Sequence, residues 1–493
     1  MRIIDLRGQN LSRAELLAAM PRAAMGTSEA TDLVRPILDD VKERGAAALR
    51  DFEEKFDHVR PKNLRVPVEA IKDALTTLDP EVRAAIEESV RRARAVAANQ
   101  VPKDFYTDLA EGARVAERWI PIQRVGLYVP GGKAVYPSSV IMNAVPAQAA
   151  GVESLAIATP PARDNAEGLP NKTILATCAI LGVDEVYAVG GAQAIAMFAY
   201  GAKGSEPQDG DILCDPVDKI TGPGNAFVAA AKKLVSGDVG IDMVAGPSEV
   251  CVLADATAKP MVVAADLMAQ AEHDPLAACY LVTCDEQFAR EVEAGIDILV
   301  AQAPRAEITR ASLDNEGTIV VAADMAAAVE AVNTVAPEHL ELHCKDAMGL
   351  LGGIRNAGAI FVGAWSSEPL GDYVAGPNHT LPTGGTAMFS NPLSVEEFVK
   401  RSSVICYTPE GLLSDAPATQ RLAEAEGLWA HALSAALRRR VLEQGEDAVS
   451  AESLAAADLT KVAWPGDAVA TVAEGVDLAA TSADGAGATD KEA

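Results

Sequence analysis

Hydrophobic positions along the chain change their spacing near residue 121. Between residues 31 and 58, large apolar side chains recur every three to four positions, which predicts an amphipathic helix packed on a core. A second helix is predicted to begin at Asp79–Pro80, because aspartate is a favoured N-cap and proline fits the first helical position. The chain up to about residue 105 is therefore expected to be mainly helical.

Short apolar runs, typical of strands that are buried on both faces, follow Pro121. They comprise residues 155–159, 185–189, 250–253, 279–283, 318–322 and 359–362. Helical stretches separate most of them, for instance residues 173–181 and 261–273. Strands that alternate with helices predict an α/β fold with enough strands for two parallel sheets covered by helices. After Pro465 the composition falls to alanine, glycine, aspartate and threonine, which predicts a disordered tail.

Composition and charge exclude several classes of function. The 42 Lys and Arg against 70 Asp and Glu give a net charge of -28, which excludes a generic binder of the nucleic-acid backbone. No run approaches the ~20 apolar residues of a membrane span, and the first residues lack the apolar core of a signal peptide. Seven scattered cysteines without a Cys-x-x-Cys pair argue against disulfides and thiolate zinc sites. We expect a soluble protein of the reducing cytoplasm.

Three glycine-rich turns follow strand-like runs and are candidates for phosphate binding. They begin at Gly126, Val189 and Gly222. In an α/β sheet such turns bring backbone amides at a helix N-terminus close to a pyrophosphate. None matches the Gly-x-Gly-x-x-Gly fingerprint, since Phe227 stands at the third glycine position of the last turn. Ordinary tight turns remain the alternative to a dinucleotide site.

Five of the six histidines fall in the later, glycine-punctuated part of the chain, and several have polar neighbours. Imidazoles with amide and carboxylate oxygens form a ligand set suited to zinc or manganese. Gln270 and His273 are expected to share a helix face, and Glu338–His339 to open a further helical stretch. The other candidates are Asp372 and His379 in a polar loop, and Glu426 and His431 on a C-terminal helix.

One histidine pair resembles a peptidase motif without meeting its requirement. His339 and His343 are four residues apart, but the glutamate between them is misplaced for the His-Glu-x-x-His of zinc peptidases. In that motif the glutamate directly follows the first histidine in order to reach the metal-bound water. A zinc hydrolase is therefore disfavoured, and His343 and His58 are interpreted as non-catalytic.

Five motifs occur in the order found in the histidinol dehydrogenase family. They are Gly-Pro-Gly-Asn-Ala-Phe-Val (222–228), Ala-Gly-Pro-Ser-Glu-Val (245–250), Gln-Ala-Glu-His (270–273), Ala-Pro-Glu-His-Leu-Glu (336–341) and Gly-Pro-Asn-His-Thr-Leu-Pro-Thr-Gly-Gly-Thr-Ala (376–387). The chain resembles this family from roughly residue 30 to 440. The resemblance implies oxidation of L-histidinol through histidinal to L-histidine, with NAD as oxidant and a zinc ion in each site.

The resemblance also implies roles for individual residues. Gln270, His273, Asp372 and His431 would ligate Zn2+, and Glu338 and His339 would form the acid–base pair. Tyr128, Gln193 and Asn225 match positions that contact NAD. Ser248, His379 and Glu426 match positions around the substrate, which the zinc ligands and His339 would also contact. The family further implies a homodimer in which a C-terminal helical arm completes the partner's active site.

The resemblance implies a fold of two Rossmann-like domains with an N-terminal helical segment and a C-terminal helical arm. The predicted parts are an N-terminal segment (1–30), a discontinuous α/β domain (31–127 with 248–390), a second α/β domain (128–247), a helical dimerisation arm (391–440) and an acidic low-complexity tail (441–493). Departures from the family pattern are Met388, Asn391, a long polar run at 204–215, and the tail beyond about residue 441.

The residue types suit this chemistry. Oxidising an alcohol requires a base, which a neutral histidine supplies near pH 7, and hydrating the aldehyde requires a carboxylate that activates water. Three alternatives stay open at this point. The first is an NAD- and zinc-dependent dehydrogenase of another polar alcohol, such as a sulfonated diol. The second is a zinc hydrolase, and the third is a metal-binding module without catalysis.

Overall fold

The computed structural model describes residues 1–9, 11–20, 27–131 and 134–463, with the backbone alone at 27–29. The predicted disorder after Pro465, and Gly132 of the first glycine-rich turn, lie outside the described residues. None of the helices in these ranges combines the length and apolar character that crossing a bilayer requires. The helices are α1 (Arg13–Ala19), α2 (Thr27–Arg44), α3 (Ala46–Phe56), α4 (Val68–Thr76), α5 (Pro80–Gln100), α6 (Pro137–Ala150), α7 (Lys172–Leu181), α8 (Gly191–Tyr200), α9 (Ala226–Val235), α10 (Pro260–Ala271), α11 (Glu286–Val300), α12 (Ala306–Asn315), α13 (Met325–Val335), α14 (Ala347–Leu350), α15 (Glu368–Tyr373), α16 (Pro409–Ala425), α17 (Trp429–Gln444), α18 (Ala451–Ala455) and α19 (Leu459–Ala463).

The strands form two parallel sheets and two small ones. They are β1 (Arg2–Asp5), β2 (Phe105–Ala110), β3 (Ala113–Pro121), β4 (Arg124–Tyr128), β5 (Ser154–Thr159), β6 (Val186–Ala188), β7 (Ala202–Lys203), β8 (Ile212–Cys214), β9 (Lys219–Thr221), β10 (Gly240–Ile241), β11 (Glu249–Ala254), β12 (Ala278–Thr283), β13 (Thr318–Val321), β14 (His339–His343), β15 (Ala359–Val362) and β16 (Val399–Tyr407). The six-stranded sheet has the order β1-β13-β12-β11-β14-β15, and the five-stranded sheet has the order β10-β9-β4-β5-β6. The small sheets are β16-β3-β2 and β7-β8.

The predicted α/β class with two parallel sheets is confirmed, and each predicted apolar run forms a strand. The strands at the centre of the six-stranded sheet, β11, β12 and β13, are buried along their whole length. Separate apolar cores cover the two faces of each large sheet. Burial on both faces explains why these strands read as continuous apolar runs instead of alternating ones.

The N-terminal part differs from its prediction in three respects. Residues 2–5 form β1, which pairs with β13 at the edge of the six-stranded sheet, although a helical segment was expected. The single helix predicted over 31–58 is broken at Gly45, whose φ is 56°. A Cβ at Gly45 would lie 2.6 Å from the carbonyl oxygen of Lys203, so glycine is required where these backbones meet. Moreover, α2 and α3 pack against the five-stranded sheet, whereas the predicted division grouped 31–127 with 248–390.

The polar run at 204–215 lies in and after the β7–β8 hairpin, which one buried arginine holds in place. Arg50 on α3 is 1% exposed and donates from Nη1 and Nη2 to Asp209, at 2.8 and 2.6 Å. Charged hydrogen bonds with two parallel N–H donors are among the strongest in proteins. These hydrogen bonds therefore hold the β7–β8 hairpin against α3.

The chain divides into two compact units, one of residues 1–102 with 120–400 and one of 103–119 with residues from 401 onward. In the second unit the C-terminal helix predicted to carry Glu426 and His431 is two helices, because Glu426 caps α16 and Gly427, with φ of 72°, precedes α17. The helical region also continues past residue 440, where the tail was predicted to begin. Here α19 packs on α17, and Gln420 Nε2 donates to the Ala463 carbonyl oxygen at 2.9 Å.

Candidate active site

Glu338 and His339 stand at the start of a central strand. The expected helical opening at this point is wrong, because His339–His343 is β14, paired with β11 on one side and β15 on the other. Ala336, with φ of 50°, ends α13 in a left-handed conformation and turns the chain into the sheet. Leu340 and Leu342 alternate with polar residues and are fully buried, which is the spacing of a strand.

The protonation state of His339 is fixed by its surroundings. Its Nδ1 lies 3.1 Å from the carbonyl oxygen of Glu249, which only accepts, so Nδ1 carries the proton. Nε2 then holds a lone pair and has no hydrogen-bond partner among the described residues. Burial lowers the pKa of His339 below its ordinary value, which keeps the ring neutral. A buried, neutral imidazole with a free Nε2 is suited to accept a proton.

Glu338 is buried directly beside this imidazole. One of its oxygens, Oε2, accepts a hydrogen bond from the Glu249 amide at 2.8 Å and lies 3.7 Å from His339 Nδ1. Burial raises the pKa of Glu338 well above that of an ordinary carboxyl, and the charges of Glu249 and Asp372 raise it further. A carboxyl of raised pKa exchanges protons more readily near neutral pH than an exposed glutamate does.

A possible metal-binding group lies next to the pair. Ligand atoms of His273, Glu368 and Asp372 all lie within 4.8 Å of one another. His339 Nε2 is 3.9 Å from Asp372 Oδ1, which connects this group to the imidazole. The structure therefore brings together His273 and Asp372, as predicted, and adds Glu368, which the sequence analysis missed. Its spacing of four residues from Asp372, on the same face of α15, is a signal that could have identified it.

Gln270 and His273 are not on one continuous helix as predicted. Gln270 lies in the last turn of α10, while His273 follows the C-cap Glu272 in the turn beyond. Gln270 is buried, and with its amide nitrogen facing Glu368 Oε1 and the Glu249 carbonyl oxygen, each 3.2 Å away, it donates to both. The same nitrogen lies 3.3 Å from His339 Nδ1, which cannot accept a hydrogen bond because it carries the proton. The amide oxygen of Gln270 then remains available as a ligand atom.

The predicted substrate residues of the first unit adjoin this group. His379 Nδ1 lies 3.1 Å from the Asp372 carbonyl oxygen, and burial lowers the pKa of His379. The loop after His379 is tied to β11, because the Gly384 amide donates to Glu249 Oε1 at 3.1 Å. Ser248 is half-buried and directly precedes β11. The Asp372 backbone carbonyl and the Glu249 carboxylate thus each hold part of the loop around His379.

The predicted NAD-contacting residues gather at one edge of the five-stranded sheet. Tyr128 ends β4, and its hydroxyl accepts from the Gly191 amide at 3.1 Å, in the turn that also carries Gln193. Asn225 follows β9 and caps α9, accepting from the amides of residues 227 and 228. A Cβ at Gly222 would lie 2.1 Å from the Tyr128 carbonyl oxygen, so this turn closely approaches β4. Carboxyl ends of neighbouring parallel strands are where α/β sheets bind ligands.

A buried carboxyl that the sequence did not reveal holds the Gly190 turn in place. Glu53 Oε1 on α3 accepts from the Gly190 amide at 2.9 Å and from Gln193 Nε2 at 2.8 Å. Burial raises the pKa of Glu53 to about 8. The free energy of unfolding should therefore depend on the protonation of this single residue.

The expected result is that Glu53→Gln removes a loss of stability at alkaline pH. Because the folded-state pKa of about 8 exceeds the unfolded value of 4.5, the native protein retains an extra proton between these pH values, and its stability falls as pH rises through that window. Urea unfolding at pH 5.5 and 8.5 should show the wild type losing about 3 kcal/mol relative to the variant. Glu54→Gln, which alters the exposed neighbour, is the control; parallel pH curves for wild type and Glu53→Gln would contradict the expectation.

The remaining two predicted residues belong to the second unit. Glu426 is the C-cap of α16, and His431 lies in the first turn of α17, both with exposed side chains. The larger apolar side chains of this region, Leu422, Leu428 and Trp429, are likewise exposed, and alanines form the buried helix contacts. Packing of small residues within the unit leaves the larger apolar side chains at its surface.

Three comparisons with known proteins, by family model, by sequence and by structure, agree with one another. The model of the family described as histidinol dehydrogenase matches residues 20–439. The chain is 74% identical to histidinol dehydrogenase of Bifidobacterium longum over 87% of this chain and 92% of that protein. It is 51% identical to that of Thermobifida fusca over 90% and 98%, respectively. The crystal structure of histidinol dehydrogenase from Elizabethkingia anophelis superposes with a TM-score of 0.83 at 32% identity, covering 90% of this chain and 99% of that one. With the family model matching most of its length, the chain belongs to the histidinol dehydrogenase family.

Proposed function

We propose that this protein catalyses the NAD-dependent oxidation of L-histidinol through L-histidinal to L-histidine, the final step of histidine biosynthesis. The observation that carries the proposal is the state of His339, a buried neutral imidazole whose Nε2 is free and adjoins Asp372. The relatives that are named histidinol dehydrogenase support the choice of substrate. The enzyme is expected to act in the cytoplasm.

The proton transfers are assigned to His339 and Glu338. His339 Nε2 accepts the proton of the substrate hydroxyl, while the bond from Nδ1 to the Glu249 carbonyl keeps the ring oriented. Glu338 takes a proton from the water that hydrates the aldehyde, because its raised pKa makes its ionised form a strong base. NAD, when bound, would supply the oxidising power as the hydride acceptor of both oxidations.

The donor set near this pair suits zinc. Imidazole nitrogen, carboxylate and amide oxygens are ligands of borderline softness, and Glu368 Oε2 in this group is buried without a hydrogen-bond partner among the described residues. Gln270, His273 and Asp372 would hold the ion together with His431 of the partner subunit. Bound zinc supplies an electrophilic anchor for the imidazole and amino groups of histidinol. Glu368 positions the Gln270 amide through its own carboxylate.

The remaining site residues would bind NAD and orient the substrate. Tyr128, Gln193 and Asn225 would contact NAD at the edge of the five-stranded sheet, where Gly190, Gly191 and Gly222 allow close approach. Ser248 and His379, with Glu426 of the partner subunit, would surround the substrate and so orient the reacting carbon. Two oxidations in one enclosed site would also retain the reactive aldehyde.

A count of NADH per histidinol tests the proposal directly. Purified protein given limiting L-histidinol and excess NAD, without oxygen, should form two molecules of NADH for each histidinol, because each of the two oxidations reduces one NAD. Turnover only with another polar alcohol, such as a sulfonated diol, would favour the related dehydrogenase. Turnover of a hydrolysable substrate without NAD would indicate a zinc hydrolase, and metal binding without any turnover would indicate a non-catalytic module.

The active site is further proposed to be shared within a homodimer, with Glu426 and His431 supplied by the partner subunit. Support comes from the exposure of both side chains and of the apolar Leu422, Leu428 and Trp429 beside them. An exposed apolar group of this kind indicates an interface. The cyclic symmetry of a homodimer would then place two equivalent sites in each molecule.

We expect inactive His339→Asn protein and inactive His431→Asn protein to regain activity when their subunits exchange. If His431 serves the partner's site, each mixed dimer has one doubly altered and one fully wild-type site, and about a quarter of all sites recover. NADH formation after verified exchange is the measurement. If His431 serves its own subunit, every site stays defective, so exchange without activity would refute the shared site.

A further inference from the structure

One face of β14 carries polar side chains along its whole length. His339, Glu341 and His343 alternate with buried leucines and therefore share a face of the strand. Asp266 lies one helical turn before Gln270 on α10, and its Oδ2 is 3.5 Å from His343 Nε2. Asp266, Glu341 and His343, here termed the inner cluster, thus form a second polar group between α10 and β14.

The inner cluster is buried, and its three side chains make no hydrogen bond of acceptable geometry to one another. The side chains of Glu341 and His343 are 0% and 2% exposed. Glu341 Oε2, Asp266 Oδ2 and both ring nitrogens of His343 have no hydrogen-bond partner among the described residues. Each buried polar atom left unsatisfied costs about 1–3 kcal/mol, so the three that lie close together, Glu341 Oε2, Asp266 Oδ2 and His343 Nε2, require a common partner.

The distances within the inner cluster are those between ligands of one metal ion. His343 Nε2 lies 3.2 Å from Glu341 Oε2 and 3.5 Å from Asp266 Oδ2. Two ligands at ~2.1 Å from a tetrahedral zinc ion are about 3.4 Å apart. Ligand atoms of all three residues lie within 4.8 Å of one another. Three side chains around one point, with hydrogen-bond geometry absent, match a coordination site better than a chain of hydrogen bonds.

Charge and orientation agree with this interpretation. Two carboxylates balance a divalent cation, whereas two carboxylates buried together without one repel each other. Glu341 is oriented by its other oxygen, Oε1, which accepts from the Glu368 amide at 2.7 Å. A second hydrogen bond of this type commonly orients a carboxylate ligand. The Asp266 side chain is 11% exposed, so a water molecule can reach the fourth position.

We propose that Asp266, Glu341 and His343 bind a second divalent transition-metal ion, separate from the zinc ion proposed for the active site. One imidazole nitrogen with two carboxylate oxygens is a set suited to zinc or manganese. The ion holds α10 against β14 and so supports Gln270 and His339, which lie on the same two elements. Its role is structural, because its ligands include neither member of the proton-transfer pair.

Metal counting on purified chains tests the second site. Each protein is stripped with chelator, incubated with excess Zn2+ alone, freed of unbound metal by gel filtration and analysed for metal per chain; Mn2+ is tested in parallel. The wild type should hold two ions, His343→Gln and His273→Asn one each, and the double variant none. His58→Gln, which alters an exposed histidine outside both groups, should hold two.

Thermal unfolding gives an independent readout that does not depend on activity. Zn2+ should raise the Tm of His273→Asn, in which only the inner cluster is intact, and should not raise that of the double variant. A wild type that saturates at one ion, with none left in His273→Asn, would overturn the proposal. Two ions retained by folded His343→Gln would equally overturn it. Should His343→Gln fail to fold, the counts for the wild type and His273→Asn decide.

Discussion

His339→Asn is expected to lower turnover by about 10²–10⁴-fold with both L-histidinol and L-histidinal, while folding and metal content stay unchanged. The substitution removes the free Nε2 that would accept the substrate's proton and changes little volume. Asparagine can still donate to the Glu249 carbonyl oxygen, the contact that His339 Nδ1 now makes. Turnover numbers from NADH absorbance, together with metal analysis, measure the effect.

Glu338→Gln provides the matched comparison in this first prediction. Glutamine keeps an oxygen for the Glu249 amide, so the buried contact at 2.8 Å survives while proton transfer is lost. The variant should oxidise histidinol slowly and lose more activity with histidinal, because hydration of the aldehyde needs the carboxylate. Equal losses on both substrates would contradict the division of roles, and loss of metal from either variant would make the residue structural.

The second prediction concerns the metal ligands. His273→Asn and Asp372→Asn should each remove the active-site zinc and abolish turnover, whereas Gln270→Ala should only weaken binding. A charged carboxylate and an imidazole contribute more to affinity than a neutral amide. Activity of the wild type should vanish with chelator and return with added Zn2+.

Metal analysis of the same variants distinguishes a residue that ligates zinc from one that only lies beside the ion. Because the inner cluster is proposed to hold its own ion, the expected content is one ion fewer than in the wild type, and turnover reports on the active-site ion separately. Glu368→Gln extends the test to the acidic residue that the structure adds beside His273 and Asp372. It should alter zinc affinity without abolishing it, if Glu368 acts through Gln270. Full zinc content in both His273→Asn and Asp372→Asn would disprove the ligand assignment.

Local sequence determined six strands of the two large sheets and some helix boundaries. Strands such as β11 and β12 are recognisable because burial on both faces demands an unbroken apolar run. The start of α5 is equally local, since the Asp79 side chain accepts from the amides of residues 81 and 82. The motifs around His339 and Asp372 likewise identified the family, because each motif is a contiguous stretch.

Tertiary contacts determined secondary structure that short segments of sequence did not reveal. Glu338–His339 was expected to open a helix, yet His339–His343 is a strand, which β11 and β15 flank and supply with hydrogen bonds on both sides. The break between α2 and α3 depends on the approach of Lys203, more than 150 residues away in sequence, to Gly45. A local pattern holds no information about such a contact.

The site shows the same division between sequence and structure. The sequence supplied His273, Asp372 and His339 as chemical types, but their protonation and mutual distances depend on burial and on backbone groups such as the Glu249 carbonyl. Glu53, Glu368 and Glu341 look like ordinary glutamates in the sequence. Only packing excludes water from them and sets them against other polar groups, because desolvation depends on everything that surrounds a side chain in the folded protein.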